Sequence, residues 1–212
     1  MRMRNKKNAD KRLAECGGYF IDSAALDLSA PSGFFENTNP VYLEIGCGKG
    51  GFASKMAKKH PGVNFIAVES NKNVMVLAAE KACRDNIENL KFVLGDARAL
   101  SQQFCENSFD RIYLNFSDPW PKARHEKRRL THKDFLEMYR RLLKPGGKIQ
   151  FKTDNIGLFD YSVDSLSENG FVLESVTRDL HADADPDNVM TEYEELFSSQ
   201  GSKICRVIAR DK

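Results

Sequence analysis

Residues 41–51 read Val-Tyr-Leu-Glu-Ile-Gly-Cys-Gly-Lys-Gly-Gly. A short apolar run ends there in a glycine-rich turn, and Phe52 to Lys59 suits a helix. Strand, tight turn and helix in that order are the opening unit of a nucleotide-binding α/β domain. Glycine permits positive φ and leaves no Cβ between backbone and ligand.

Two templates fit this stretch. Gly46, Gly48 and Gly51 satisfy the dinucleotide spacing G-x-G-x-x-G. Glu44, Gly46, Gly48 and Gly50 satisfy E-x-G-x-G-x-G, the pattern of S-adenosylmethionine-dependent methyltransferases. The glycines do not choose between them, and an ordinary βα turn would contain some of them too. Glu44 discriminates better. A carboxylate at the strand end repels a pyrophosphate but suits the ammonium of a methionine moiety.

Beyond the turn, strands and helices alternate. Strands are expected at Val41–Ile45, Asn64–Val68, Leu90–Leu94, Asp110–Phe116 and Lys148–Lys152. Helices are expected at Asn73–Asp85, Thr131–Leu143 and Leu158–Asn169, with Leu-Lys-Pro-Gly-Gly as the stop of the second. Phe171–Thr177 and Lys203–Ala209 would close the sheet as an antiparallel pair. The fold class is α/β, doubly wound, with a mostly parallel sheet between helical layers. Residues 1–15 are polar and basic and read as a mobile arm, with a single domain over 16–212. Tyr19-Phe20-Ile21 reads as an apolar knot.

Five expected strands each deliver a carboxylate at or just past the C-terminal end: Glu44, Glu69, Asp96, Asp118 and Asp154. One such acid is an ordinary turn or cap residue. Five on one edge point to a ligand crevice, because open α/β sheets bind ligands outside those ends. Glu69 follows Glu44 by 25 residues and suits ribose hydroxyls. Asp96 suits an adenine amino group. Only Lys49 offers a cation near the turn, and no Tyr-x-x-x-Lys is present, so the methyl donor is favoured over a nicotinamide dinucleotide.

The five cysteines are widely spaced without C-x-x-C, and no histidine has metal-ligand spacing. Neither zinc nor a disulfide framework is expected, and no metal. A cytoplasmic setting fits. No apolar run reaches about 18 residues, so no membrane span is expected. Net charge is only +2, but the charges are segregated. Arg124, Lys127, Arg128 and Arg129 crowd one stretch, whereas Asp179 to Glu195 holds seven acids and no Lys or Arg. The basic run is either a solvated helix face or a contact for a polyanion.

Asn115-Phe116-Ser117-Asp118-Pro119-Trp120-Pro121-Lys122 is the most specific stretch. Its prolines rigidify the backbone and push the preceding residues toward extended conformations. Trp120 is either a stacking surface for an unpaired base or a core residue. Here the chain resembles the bacterial tRNA (guanine-N7-)-methyltransferases. The resemblance rests on Glu44 to Gly50, Tyr113 to Lys122, His125 to Leu130, Phe151 to Asn155 and Met190 to Glu194, and covers residue 40 to the C-terminus.

The resemblance implies a seven-stranded Rossmann-like sheet with an antiparallel C-terminal strand, and methyl transfer from S-adenosylmethionine to guanine N7 in the tRNA variable loop. It implies that Glu44, Gly46, Gly48, Glu69, Asp96 and Asp118 bind the donor, with Asp118 also catalytic. Lys122, Asp154, Thr191, Glu192, Tyr193 and Glu194 would meet the substrate. Arg124, His125, Glu126, Lys127, Arg128 and Arg129 would meet RNA. The family often opens on a basic run leading into Pro-Trp, and Lys7-Asn8 stands in that place here. A monomer or a homodimer is expected. Asp118, Asp154 and Glu194 all remain open for charge stabilisation or base selection. Thr191 and Glu194 also read as a capping box. Two alternatives stand beside this reading: a small-molecule methyltransferase, and a non-catalytic RNA-binding protein with a vestigial donor pocket.

Overall fold

A computed structural model describes residues 8–21, 23, 26 and 28–212. Its centre is an eight-stranded sheet in the order β1-β4-β3-β2-β5-β6-β8-β7. The strands are β1 (Phe20–Ile21), β2 (Val41–Ile45), β3 (Asn64–Glu69), β4 (Leu90–Leu94), β5 (Phe109–Asn115), β6 (Leu143–Thr153), β7 (Val172–Thr177) and β8 (Cys205–Arg210). All neighbouring pairs are parallel except those of β8, which runs antiparallel to both β6 and β7. The chain order reverses beside β2, between β3 and β5. That reversal opens the crevice where α/β sheets bind ligands.

The helices are α1 (Ala9–Glu15), α2 (Gly51–Lys59), α3 (Lys72–Arg84), α4 (Leu100–Gln103), α5 (Lys133–Leu142), α6 (Ile156–Glu168) and α7 (Glu192–Ser199). Strand alternation divides the core between two faces of the sheet. Leu43, Ile66, Val93, Ile112 and Ile149 pack with Phe135, Leu136 and Tyr139 of α5 and Phe159 of α6. Phe65, Ala67, Phe92 and Tyr113 pack on the other face with Phe52 and Met56 of α2 and Met75 and Ala79 of α3. Helical spacing of Phe135, Leu136, Met138, Tyr139 and Leu142 explains the single buried stripe of α5.

Several boundaries differ from the sequence reading. Phe20–Ile21 is not a loose knot but an edge strand on β4, which makes the sheet eight-stranded rather than seven-stranded. α5 starts at Lys133 and ends at Leu142. β6 already begins at Leu143, which pairs with Phe109, while Lys148 pairs with Arg111. The Lys-Pro-Gly-Gly segment therefore stops the helix and bulges from the strand at once. Of the expected N-terminal arm, residues 1–7 lie outside the described residues. Ala9–Glu15 is helical, with Leu13 buried and Arg12 bonded to Glu80 of α3 at 2.6 and 2.7 Å. Leu13 and Cys16 dock this turn against Met75, Val76 and Ala79 of α3.

The glycine turn has one position with no tolerance for a side chain. Gly50 has φ +70°, and a Cβ there would lie 2.9 Å from Ala78 Cβ and 3.0 Å from the Phe92 ring. Gly50→Ala is expected to destabilise the protein by about 2–4 kcal/mol through overpacking and a left-handed alanine. Urea denaturation showing a loss below about 1 kcal/mol would contradict this packing.

Candidate active site

A cavity of about 770 Å³ opens at the C-terminal ends of β2 to β5. Ile45, Gly46, Glu69, Asp96, Asn115, Phe116, Asp118 and Trp120 are among the residues that line it. Gly46 and Gly48 have φ of +77° and +56°, and a Cβ on either would meet no atom within 4 Å, so the turn leaves open space. Glu69 is held by the turn itself: Gly48 N–H donates to Oε2 at 3.1 Å and Asn71 N–H to Oε1 at 2.8 Å. Asp96 accepts from the Arg98 amide at 2.9 Å. Asp118 is exposed on the rim.

Glu44 is not part of the open wall. It is 3% exposed and lies on the α2 side of the sheet, where Asn115 Nδ2 donates to its Oε1 at 3.0 Å. Asn115 Oδ1 is buried without a hydrogen-bond partner among the described residues, and the Ala53 amide of α2 faces the Glu44 carboxylate. Burial pushes the Glu44 carboxyl up to about 7, against the opposing pull of Asn115 and Lys152. Asp154 also leaves the expected cluster. It accepts from the Tyr193 hydroxyl at 3.3 Å and lines a separate recess with Ile156 and Lys203. So three of the five strand-end acids share the cavity wall, one lies buried behind it, and one lies to the side.

Most of the acidic segment 179–195 lies at the surface, and Glu194 is its one buried acid. Glu194 is completely buried and Lys152 Nζ donates to its Oε2 at 2.6 Å. Lys152 Nζ also donates to Asn188 Oδ1 at 3.1 Å and to Val189 O at 2.9 Å. Asn188 Nδ2 and His181 Nε2 lie 2.9 and 3.3 Å from Glu194 Oε1. Burial lowers the Lys152 pKa, and the Glu194 charge opposes that shift. Thr191 Oγ1 accepts from the Glu194 amide at 2.9 Å, which completes the capping box at the start of α7. Glu194 therefore presents no open edge to a ligand. Glu192 reaches back over the glycine turn, within 3.0 Å of a Cβ built on Gly51 and 3.6 Å from Lys81. Tyr193 is 39% exposed and packs on Phe116 at 4.8 Å between ring centroids.

The loop after β5 departs from its expected backbone. Phe116 and Trp120 have φ of +51° and +39°, so the residue before Pro121 is not extended. Arg129 fixes it by donating to the Trp120 carbonyl at 3.2 and 3.4 Å. Trp120 is a half-buried cavity wall rather than a core residue, with the Arg128 guanidinium 4.7 Å from its ring and His125 edge-on at 5.7 Å. Residues 123–128 form a 3-10 turn, with Lys122 as its exposed cap residue. Arg124, Lys127 and Arg128 are exposed, whereas Arg129 stacks on Tyr161 at 4.2 Å and Glu126 lies beside the same tyrosine. Sequence reasoning missed Asn115 and Lys152 as site residues. Their signal was polarity inside β-runs that otherwise read as buried strands.

Fold and cavity together define a methyltransferase architecture. The chain resembles an S-adenosylmethionine-dependent methyltransferase from Aquifex aeolicus, with a TM-score of 0.59 at 14% identity over 97% of this chain and 90% of that one. An antibiotic-related methyltransferase gives a TM-score of 0.60 at 15% identity, covering 98% and 96%. Residues 38–207 match a family model described as a putative methyltransferase. The tRNA (guanine-N(7)-)-methyltransferase of Lactococcus lactis subsp. cremoris is 47% identical over 99% of this chain and 98% of its own length. That of Geobacillus kaustophilus is 48% identical over 97% and 95%. The chain belongs to the tRNA (guanine-N(7)-)-methyltransferase family.

Two measurements check the buried charges. Glu194→Ala should cost about 3–5 kcal/mol in urea denaturation, because it strands the Lys152 ammonium. Lys152→Met with Glu194→Leu should recover much of that loss. Glu44 carries the opposite sign of pH dependence from a salt-bridged acid. Its folded pKa is raised, so its contribution to stability is complete below the unfolded value and is lost as pH rises through about 7. Wild-type stability should fall over that range by up to about 3 kcal/mol, and Glu44→Gln should flatten the profile.

Proposed function

We propose that this protein transfers the methyl group of S-adenosylmethionine to N7 of guanine in the variable loop of tRNA. The observation that carries the reading is one cavity that combines nucleoside acceptors with an aromatic and cationic rim. Glu69 and Asp96 are preorganised acceptors on its wall. Trp120, Arg128 and Asp118 form its outer side. About 770 Å³ suits a nucleoside with an amino-acid arm. Membership of a family whose relatives carry this activity in their names supports the same reading.

S-adenosylmethionine, when bound, supplies an electrophilic methyl group on a sulfonium. Glu69 would hold the ribose hydroxyls, Asp96 the adenine amino group, and Glu44 with the glycine turn the methionine end. Guanine N7 has a lone pair and no proton, so the protein needs no general base. Its work is positioning and charge stabilisation. Asp118 stands at the rim, where its charge would stabilise a purine that becomes cationic. Asp154 and Tyr193 flank the approach from the other side, bonded to each other at 3.3 Å. Thr191 and Glu194 shape that approach through the cap of α7, with Glu194 acting as a positioning residue. Arg124, Lys127 and Arg128 would meet phosphates, and Lys122 lies between them and the cavity in the chain.

Among the described residues no helix is long and apolar enough to cross a membrane. We place the reaction in the cytoplasm, with tRNA as the partner, and every group named above comes from one chain, so a monomer or a homodimer serves.

Unmodified tRNA incubated with labelled donor and analysed by nucleoside mass spectrometry should yield N7-methylguanosine. Methylation at N1 or N2, or none, would overturn the reading. Asp118→Asn should lower the single-turnover rate at saturating tRNA more than it lowers tRNA affinity. Neutralising Arg124, Lys127 and Arg128 should flatten the salt dependence of tRNA binding by up to about three counterion equivalents while leaving donor binding intact.

A further inference from the structure

We propose that Asn115 is a positioning residue for the methyl donor: its amide nitrogen holds Glu44, and its amide oxygen accepts from the donor's ammonium group. The proposal rests on the donor assignment above and adds a residue and a proton to it. Asn115 ends β5 and lines the cavity, whereas Glu44 lies behind it. The bond between them, at 3.0 Å, uses one oxygen of Glu44 and one amide hydrogen. It leaves Asn115 Oδ1 as a buried acceptor with no donor among the described residues, whereas the Glu44 carboxylate also faces the Ala53 amide. Buried acceptors are nearly always satisfied, so one left open in a residue of the cavity wall calls for a ligand with an N–H donor.

Charge narrows the choice to a cation. Glu44 faces Asn115 from β5, Lys152 from β6, Glu69 from β3, the Cys47 thiol from the turn and the Ala53 amide from α2. The hydroxyl of Tyr113, on β5, is the remaining titratable neighbour. Lys152 is the one cation of that set, and its three hydrogen bonds go to Asn188, Val189 and Glu194. Lys152 therefore attracts Glu44 only from a distance, and among the described residues neither Glu44 nor Glu69 forms an ion pair. An ammonium placed against the Asn115 oxygen supplies a positive partner, with the amide polarised by the carboxylate behind it.

A proton follows from the same geometry. Burial holds the free Glu44 carboxyl at about 7, so near neutral pH it is partly protonated. A neighbouring cation favours the carboxylate, so binding expels that proton, and affinity falls as pH drops through this range. Calorimetry with S-adenosylhomocysteine, which keeps the ammonium but lacks the sulfonium, reads this directly. Titrations in two buffers of different ionisation enthalpy should give a fractional proton release at about pH 6.5 and almost none at about pH 8.5. Glu44→Gln should abolish the release. Asn115→Ala should weaken binding about tenfold. Asn115→Asp, isosteric and safe for packing, sets a second carboxylate against Glu44. The pair would share a proton, and the release would persist to higher pH. An asparagine with only a packing role would leave the affinity of Asn115→Ala within about twofold of the wild type. If the wild type fails to bind S-adenosylhomocysteine, the donor assignment itself falls. If it binds, and Asn115→Ala stays within about twofold of the wild type, this inference alone is overturned.

Discussion

Lys152 has no solvent contact and must find its hydrogen-bond partners inside the protein. It finds them on one segment: Asn188, Val189 and Glu194. A buried ammonium is intolerable without such partners, so this requirement straps residues 185–194 onto the sheet. The consequences spread outward. Glu194, committed to Lys152, also closes the capping box that starts α7. α7 in turn sets Tyr193 against Phe116 and Asp154 beside the cavity mouth. The position of the substrate side of the site thus depends on a lysine in the middle of the sheet.

The same logic resolves the segregated charge. Six of the seven acids of 179–195 are matched by cations, Glu194 by the buried Lys152 and Asp179 by Lys203 at 3.0 Å. Lys55 pairs with Glu195, Lys59 with Asp187 at 3.8 Å, Lys81 with Glu192 at 3.6 Å and Arg206 with Asp185. Much of the negative charge is thereby neutralised within the protein. The basic turn at 123–128 keeps Arg124 and Lys127 exposed, and Arg128 only leans on Trp120. A near-neutral total charge therefore leaves a one-sided basic rim next to the cavity, which is what steering of a polyanion needs.

Between these two poles the loop after β5 carries backbone strain at Phe116 and Trp120. Such conformations persist where the surroundings hold them, and they gather at functional sites. Tyr193 braces the first, and Arg129 braces the second through the Trp120 carbonyl. The bracing comes from both sides of the site, so the loop registers the placement of α7 and of the basic turn together.

Local chemistry made most of the architecture legible. Apolar alternation marked the parallel strands, glycine spacing marked the first turn, and the stripe on α5 followed helical period. The Thr191–Glu194 capping box was readable because its partners lie three residues apart. The strand-end position of Glu69, Asp96 and Asp118 placed them on one edge, and the cavity gathers them there. Tertiary structure alone decided which polar side chains turn inward. Glu194 meets Lys152 across 42 positions of sequence, and Asn115 meets Glu44 across 71. Sequence pattern reports period along one element, and a polar residue inside a strand shows only that some partner must exist. Which partner it is, and so whether an acid faces a ligand or a buried lysine, is settled by the order of the strands and by what crosses above them.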